Sequence, residues 1–115
     1  MTTITLPWPP SVNHYYVTGY RGARIVGKRG KAYATEVALL IRTSGAKRLR
    51  GDVRLRVDMH PPDRRKRDID NPLKCLLDAM SGGLYEDDSQ IVELIARKLP
   101  GEGKPGRVVV TVEAM

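Results

Sequence analysis

A strand-like segment followed directly by a helix-like one constrains the fold of this chain most strongly. In residues 53–59, apolar and polar side chains alternate, which predicts a β-strand with one buried face. Pro61 and Pro62 end that strand. After a short link, apolar residues recur at helical spacing and predict a helix that lies on a core. The stripe of that helix consists of Leu73, Leu76, Leu77 and Met80.

Residue types at the two ends of this helix predict its limits. Asn71 suits the N-cap, and Pro72 suits the first helical position, where its missing N–H group costs nothing. Gly82 and Gly83 are typical of a helix end. We therefore expect a helix from about residue 72 to residue 81.

The N-terminal part of the chain predicts a strand and a second helix with a less regular segment between them. Residues 2–8 alternate as a strand does. Residues 9–30 begin with Pro-Pro-Ser and predict an irregular, basic stretch. Residues 31–43 carry an apolar face at helical spacing and predict the second helix.

The C-terminal part contains two β-rich runs. Residues 91–99 and 107–113 are joined by a Gly- and Pro-rich turn, which predicts a hairpin. Together the patterns predict one α/β domain over residues 1–115, with a mixed sheet of about four strands and two main helices.

Composition excludes several classes of protein. No apolar run approaches the roughly 20 residues that a membrane-spanning helix needs, and early prolines argue against a secretion signal. With Cys75 as the single cysteine and two histidines, neither an intrachain disulfide nor a zinc finger is expected. We therefore expect a cytoplasmic protein with no membrane partner.

The charge is large, and its two signs are segregated along the chain. The formal net charge is +7, with nine basic residues between Arg21 and Arg50 and four more in the run Arg64, Arg65, Lys66 and Arg67. Six of the thirteen acids follow within residues 68–88. Such a balance favours phosphate-rich partners. The alternative is a basic protein that binds nothing.

Asp68 and Asp70 form the first element of a candidate metal site. They lie in the link between the predicted strand and helix, and an extended link places both carboxylates on one side. Mg²⁺ prefers such hard oxygen ligands, with Mn²⁺ as an alternative ion. For Asp70 alone, capping of the helix is the better interpretation, but the pair directly after four cations is harder to explain in that way.

Asp87 and Asp88 form a second acidic element, on the loop that enters residues 91–99. Taken alone, they are typical of a solvated loop. Whether the chain returns Asp88 to Asp68 and Asp70 depends on strand order and direction, which the sequence does not give.

Lys74 lies four residues after Asp70, on the same side of the predicted helix. It could stabilise charge on a phosphate in the transition state, or form an ion pair with Asp70 or Asp78. We predict that Asp78 is solvated and that Cys75 fills the core rather than acting as a nucleophile.

The four consecutive cations stand directly before the acids, and this order carries the functional prediction. Carboxylates repel phosphate, so a DNA-binding surface should avoid them unless a bound cation cancels their charge. The run from Arg64 to Arg67 would then hold the DNA backbone. Tyr15, Tyr16 and Tyr20 could stack on unpaired bases or belong to the core.

Two segments together resemble the RusA family of Holliday junction resolvases, the crossover junction endodeoxyribonucleases. The first is residues 63–71 with Lys74 and then residues 87–91, an R-D-x-D-N-x-x-K element followed by D-D. The second is residues 6–13, with the tyrosines after them. The likeness covers essentially the whole chain.

The resemblance implies a homodimer that cleaves four-way DNA junctions with Mg²⁺, in recombination and repair, encoded by a bacterium, prophage or phage. It implies that Asp68, Asp70 and Asp88 are the metal-binding catalytic residues and that Lys74 is an essential cation. We expect DNA contacts from Arg64, Arg65, Lys66, Arg67, Asn71, Asn13 and Tyr16. The alternatives are a non-catalytic nucleic-acid-binding protein and a nuclease of the same chemistry that acts on flaps or RNA.

Overall fold

In the computed structural model, which describes residues 1–101 and 103–115, six strands and three helices are found. In chain order they are β1 (Thr2–Pro7), α1 (Val12–Tyr15), β2 (Tyr16–Thr18), β3 (Arg24–Val26), α2 (Lys28–Ser44), β4 (Val53–His60), α3 (Asp70–Met80), β5 (Ile91–Lys98) and β6 (Arg107–Ala114). Short 3-10 turns occur at Tyr20–Gly22 and Asp88–Gln90. The predicted α/β fold with a mixed four-stranded sheet and two main helices is confirmed.

Strand order in the main sheet is β1-β6-β4-β5, and β2 pairs with β3 in a separate two-stranded ribbon. β4 runs parallel to β5 and antiparallel to β6, which in turn is antiparallel to β1. The predicted alternation of β4 is present, since Val53, Leu55, Val57 and Met59 are all fully buried. They meet the buried faces of α2 and α3.

The opposite face of the sheet is exposed and polar. Arg54 binds Glu93 at 2.9 Å and Glu113 at 2.8 Å, so it joins three neighbouring strands. Arg97 of β5 binds Asp58 of β4 at 2.9 Å. The fold is therefore two layers, with both long helices on one side of the sheet and a charged outer face on the other.

The predicted hairpin between the last two strands is wrong. β6 does not pair with β5 but lies between β1 and β4. The physical reason is burial: Val108, Val110 and Val112 of β6 are almost completely buried, which a central position provides. β5 has exposed apolar and charged residues along its length and occupies the edge.

Two local predictions also need correction. α3 begins at Asp70 with Ile69 as its N-cap, and no side chain caps it. Asn71 is therefore inside the helix, where its Oδ1 accepts a hydrogen bond from the backbone N–H of Val12 at 3.1 Å. The stretch predicted to be irregular instead contains α1 and the ribbon formed by β2 and β3.

None of the helices in the described residues is long and apolar enough to cross a membrane.

Candidate active site

The β4-α3-β5 crossover decides where the acidic residues lie. Because β4 and β5 are parallel, the chain must cross from the C-terminal end of β4 back to the N-terminal end of β5, and α3 forms this crossover. Asp70 is at the start of α3, whereas Asp88 directly precedes β5. Asp70 therefore lies at the N-terminal end of α3, whereas Asp88 lies on the side of its C-terminal end.

A small groove runs along the exposed side of α3, and we call it the α3 groove. Its volume is about 270 Å³. Three of its residues recur every four positions along the helix, so they form one polar row. Lys74 is in the middle of that row, and its Nζ lies 3.9 Å from Oδ2 of Asp78. The lining residues are Asp70, Leu73, Lys74, Leu77, Asp78 and Asp88.

Asp88 is the carboxylate in this groove with an unsatisfied oxygen. Its Oδ1 is buried and has no hydrogen-bond partner within the described residues. Burial, and then the nearby negative charge of Asp78, raise the pKa of Asp88. Burial also raises the pKa of Asp78. A buried oxygen without a donor is costly, so this position favours a cation or a proton.

Asp78 is only partly solvated, whereas the sequence predicted a solvated side chain. Its side chain is only 36% exposed, and it lies between Lys74 and Asp88 in the α3 groove. The spacing of Asp70, Lys74 and Asp78 at i, i+4 and i+8 was the signal in the sequence that could have identified it.

The third predicted ligand, Asp68, faces a different space. It lines a larger open cleft of about 1000 Å³. Within residues 1–101 and 103–115, no three His, Cys, Asp or Glu side chains converge closely enough to hold one metal ion. The structure thus brings Asp70 and Asp88 to one groove but leaves Asp68 beside it.

Asp63 binds every second residue in the run of four consecutive cations. Its carboxylate accepts hydrogen bonds from the backbone N–H of Arg65 at 2.9 Å and from Nη1 of Arg67 at 2.7 Å. The bond from Arg67 comes first among the causes that hold the pKa of Asp63 well below its usual range. Arg64 and Lys66 are exposed and, in the part of the chain that is described, have no ion-pair partner. Arg65 and Arg67 therefore shape the loop, whereas Arg64 and Lys66 are available to a ligand.

The larger cleft, which we call the basic cleft, lies between this loop, the Pro9-Pro10 turn and the first turns of α2. Trp8 lines it, and the guanidinium of Arg67 lies 5.7 Å from the centre of the Trp8 ring. Lys98 Nζ donates to the backbone carbonyl of Arg67. These contacts attach the loop to both the N-terminal turn and the end of β5.

Tyr16 connects the ribbon to the α3 groove. Nζ of Lys74 lies 5.5 Å from the centre of the Tyr16 ring, and the guanidinium of Arg24 lies 4.9 Å from it. One aromatic ring therefore contacts two cations. Arg24 had no distinguishing pattern in the sequence, because its place beside Lys74 depends on how the ribbon folds back.

The remaining predicted site residues have separate positions. Asp87 caps the 3-10 turn before β5, where its Oδ2 accepts from the backbone N–H of Ser89 at 3.0 Å. Asn13 is exposed on α1. Asn71 borders the basic cleft while it holds Val12. Of the acidic pair, Asp87 serves the turn and Asp88 faces the groove.

Comparison with known proteins identifies the family. The model of the family described as Endodeoxyribonuclease RusA matches residues 7–113. The chain belongs to the RusA family. It is 41% identical over 115 residues to the crossover junction endodeoxyribonuclease RusA of Escherichia coli strain K12, covering 98% of this chain and 94% of that one. This confirms the predicted resemblance.

Further RusA relatives come from a phage and from a second bacterium. The crossover junction endodeoxyribonuclease of Enterobacteria phage 82 is 41% identical over 114 residues, with 97% of this chain and 93% of the relative covered. That of Shigella sonnei is 39% identical over 115 residues, covering 98% and 94%. The matched region therefore spans the α3 groove, the β2-β3 ribbon and the loop that contains Arg64 to Arg67, which we call the basic loop.

Proposed function

We propose that this RusA-family protein is an endodeoxyribonuclease that resolves crossover (Holliday) junctions by hydrolysing phosphodiester bonds. The observation that carries the proposal is the α3 groove, where the carboxylates of Asp70, Asp78 and Asp88 line the same space as Lys74. Relatives that share about two fifths of its residues over nearly the whole chain are named as enzymes of this class.

Lys74 has the position needed to stabilise a phosphate in the groove. Its side chain is 57% exposed, and its only described ion-pair contact, with Asp78, is long at 3.9 Å. The ammonium group can therefore turn toward a phosphate oxygen without breaking a strong interaction. Negative charge that builds on this oxygen during attack by water is then stabilised by a fixed cation.

We further propose that the groove carboxylates hold Mg²⁺. The fit is supported by the unpartnered Oδ1 of Asp88 and by the hard oxygen chemistry of Asp70 and Asp78. Because Mg²⁺ in proteins keeps several waters and uses one or two carboxylates, convergence of three aspartates is not required. When bound, the ion would polarise the phosphate and lower the pKa of a bound water. Asp68, which lies in the basic cleft, remains a proposed ligand that needs a shift of its loop.

The basic loop would supply the DNA contacts. Arg64 and Lys66 can bind phosphates directly, because neither is engaged with Asp63. Arg65 and Arg67 would act mainly by maintaining the shape of the loop. Asn71, which lines the basic cleft, and Asn13, which is exposed on α1, are proposed as secondary contacts.

The decisive experiment compares Asp88→Asn and Asp70→Asn with the wild-type protein on four-way, flap and linear DNA, with Mg²⁺ and with a chelator. Both variants should lose cleavage yet bind junctions at least as well, since a negative charge leaves a phosphate site. Lys74→Ala should lower kcat by about 10²–10³-fold. If both Asp variants cut normally, the proposed site is wrong. Equal cutting of all three DNAs would support the broader nuclease alternative, and a wild-type protein that binds without cutting would support the non-catalytic one.

We also propose that the protein acts as a homodimer, because two symmetric nicks require two sites. Strand β5 is a candidate interface, since it is an edge of the sheet and exposes Val92, Leu94 and Ile95 by 40–54%. If a second copy adds its β5 in antiparallel fashion around Ile95, each Glu93 lies opposite Arg97 of the second copy. The charges of this edge are therefore complementary to those of a second copy.

A further inference from the structure

The β2-β3 ribbon is the part of the fold that neither the core nor the α3 groove explains. Tyr16 pairs with Val26, Val17 with Ile25 and Thr18 with Arg24, and the ribbon does not join the main sheet. A tight turn closes its tip, with the backbone N–H of Gly19 donating to the carbonyl of Ala23 at 2.6 Å. The ribbon is thus a short arm with a defined end.

The structure separates the three N-terminal tyrosines into different roles. Tyr15 is 2% exposed and packs edge-on against Tyr33, so it belongs to the core. Tyr16 is half-buried between Arg24 and Lys74. Tyr20, at the tip of the ribbon, is 84% exposed. Only Tyr20 of these three offers a ring to an external partner.

The ring of Tyr20 is held in a way that suits stacking. The guanidinium of Arg21 lies 5.3 Å from its centre and covers one face. Arg21 adopts a left-handed backbone conformation, with φ of 58°, which places it in the turn beside Tyr20. The high exposure of Tyr20 leaves its ring accessible to a flat partner. Behind the tip, Val17 and Ile25 form an exposed apolar pair.

Charge identifies the partner that this arm fits. The first 35 residues contain no acid, yet they include five cations: Arg21, Arg24, Lys28, Arg29 and Lys31. A ligand of this surface should be anionic, and a ligand of Tyr20 should also present planar apolar groups. Nucleic acid with accessible bases meets both requirements. An acidic peptide meets the requirement for negative charge but only partly meets the requirement for planar apolar groups.

The arm is also attached to the proposed catalytic groove at a fixed distance. At its base, Tyr16 contacts Lys74, and the backbone N–H of Gly27 donates to the carbonyl of Tyr15 at 2.8 Å. Tyr20 follows Tyr16 by four residue steps, which correspond to at most about 14 Å of extended chain. DNA rises about 3.4 Å per step along each strand, so this reach equals about four base steps.

We propose that Tyr20, supported by Arg21, stacks on a base exposed at the branch point of the DNA, within about four base steps of the phosphate in the α3 groove. The inference rests on the proposed function and adds a structure-selecting residue to it. Continuous duplex has no exposed base, so Tyr20 favours a branched substrate over a linear one. The cations of the arm attract the backbone of either substrate.

The test measures binding of one four-way junction and of linear duplexes with the same arm sequences, in chelator, to Tyr20→Ala, Tyr20→Trp and Leu39→Ala. Leu39 is a matched control, because it is 54% exposed on α2 and lies outside the proposed DNA surface. Tyr20→Ala should weaken junction binding about 5- to 150-fold, the usual range for one stacked base, and change duplex binding less than about twofold. Tyr20→Trp should restore junction binding.

Two results would overturn the inference. One is a Tyr20→Ala protein that binds both DNAs as the Leu39→Ala protein does; the other is an equal loss of affinity for junction and duplex. Binding of a poly-glutamate peptide that depends on Tyr20, with junction binding unchanged, would assign the arm to a protein partner instead. The binding measurement needs no cleavage, so failure of the nuclease proposal shows separately as a wild-type protein that never cuts.

Discussion

The α3 groove derives its electrostatic character from two carboxylates at one end, Asp78 and Asp88. Both have raised pKa values because burial disfavours their charged forms, and Oδ1 of Asp88 has no donor among the described residues. Lys74 is the one cation that the described part of the chain places in the lining of the groove, and its contact with Asp78 is a long ion pair of 3.9 Å. This excess negative charge has a physical explanation if a cation occupies the groove.

The first prediction concerns Asp78, whose carboxylate was not expected to belong to the site. Asp78→Asn should raise the Mg²⁺ concentration needed for half-maximal cleavage by about 10- to 100-fold, since it removes negative charge beside Asp88. Asp52→Asn is the control, because it makes the same change of charge at an exposed position outside the groove. A titration of cleavage against Mg²⁺ measures both variants. Identical titrations for the two would show that Asp78 has no part in binding the ion.

The second prediction concerns Asp63 and acid. Hydrogen bonds from Arg67 and Arg65 lower the pKa of Asp63 in the folded state relative to the unfolded state. Its contribution to stability is therefore present above the ordinary carboxyl pKa of about 3.9 and is lost as the pH falls through the lower folded value. The wild-type protein should melt above Asp63→Asn at pH 7, and the difference should shrink below about pH 4.

Thermal melting of both proteins from pH 2 to pH 7 measures this difference. A gap in Tm that stays constant over the whole range would mean that the charge of Asp63 does not stabilise the loop.

At the scale of elements, strand β5 is one of the two edge strands of the main sheet, and unlike β1, whose Ile4 and Leu6 are buried, it leaves apolar residues exposed. It pairs on one side only, with β4, and its apolar residues are partly exposed. Exposed edges of this kind promote association unless charges or twists block them. The outer face of β5 has charges of both signs, Glu93 and Arg97, which suits a two-fold contact.

The third prediction tests this edge. Ile95→Lys should convert a dimer to a monomer in solution, because two like charges would meet at the two-fold axis. Light scattering coupled to gel filtration measures the mass. Leu39→Lys, which changes a comparably exposed residue on α2, should leave the mass unchanged. A dimer that persists in Ile95→Lys would place the interface elsewhere.

The elements that the sequence predicted well are those whose own segments have a regular pattern of apolar residues. β4 alternates over its whole length, and α3 has a stripe of apolar residues, so each could be read from its own segment. The pairing of β5 with β4 rather than with β6 could not be predicted from the sequence, because strand partners are determined by burial in the assembled core. Gly106 illustrates this: a Cβ there would lie 2.8 Å from the backbone nitrogen of Pro62, so the link to β6 passes closely over the end of β4.

At the scale of the whole molecule, the basic surface is divided between the loop after β4, the cleft beside it and the ribbon. The net charge of +7 is spread over parts of the chain that are distant in sequence. Acids on the outer face of the sheet are paired with arginines across the strands, as with Arg54 and Arg97. Free positive charge is therefore concentrated away from that face.

The fourth prediction follows from this distribution. Junction affinity should fall with salt, and the slope of log K against log salt should become shallower by about 1 for each phosphate contact removed. Arg64→Gln and Lys66→Gln should each produce this change, since neither side chain has an ion-pair partner among the described residues. Arg56→Gln, on the outer face of β4 and away from the β5 edge, is the control. Equal slopes for all four proteins would exclude the loop as a phosphate-binding element.

The sequence by itself determined the α/β class, the strand and helix that flank the acidic link, and the family, because these depend on local periodicity and on motifs of fixed spacing. It also identified Asp70, Lys74 and Asp88 as candidates. Only the tertiary structure decided that Asp88 lies beside Asp78 rather than Asp68. It also decided that Asp63 binds two of the four consecutive cations. Of the three N-terminal tyrosines, it leaves Tyr20 free to stack. These are contacts between segments distant in the chain, and the parallel β4-α3-β5 crossover and the fold of the ribbon set them.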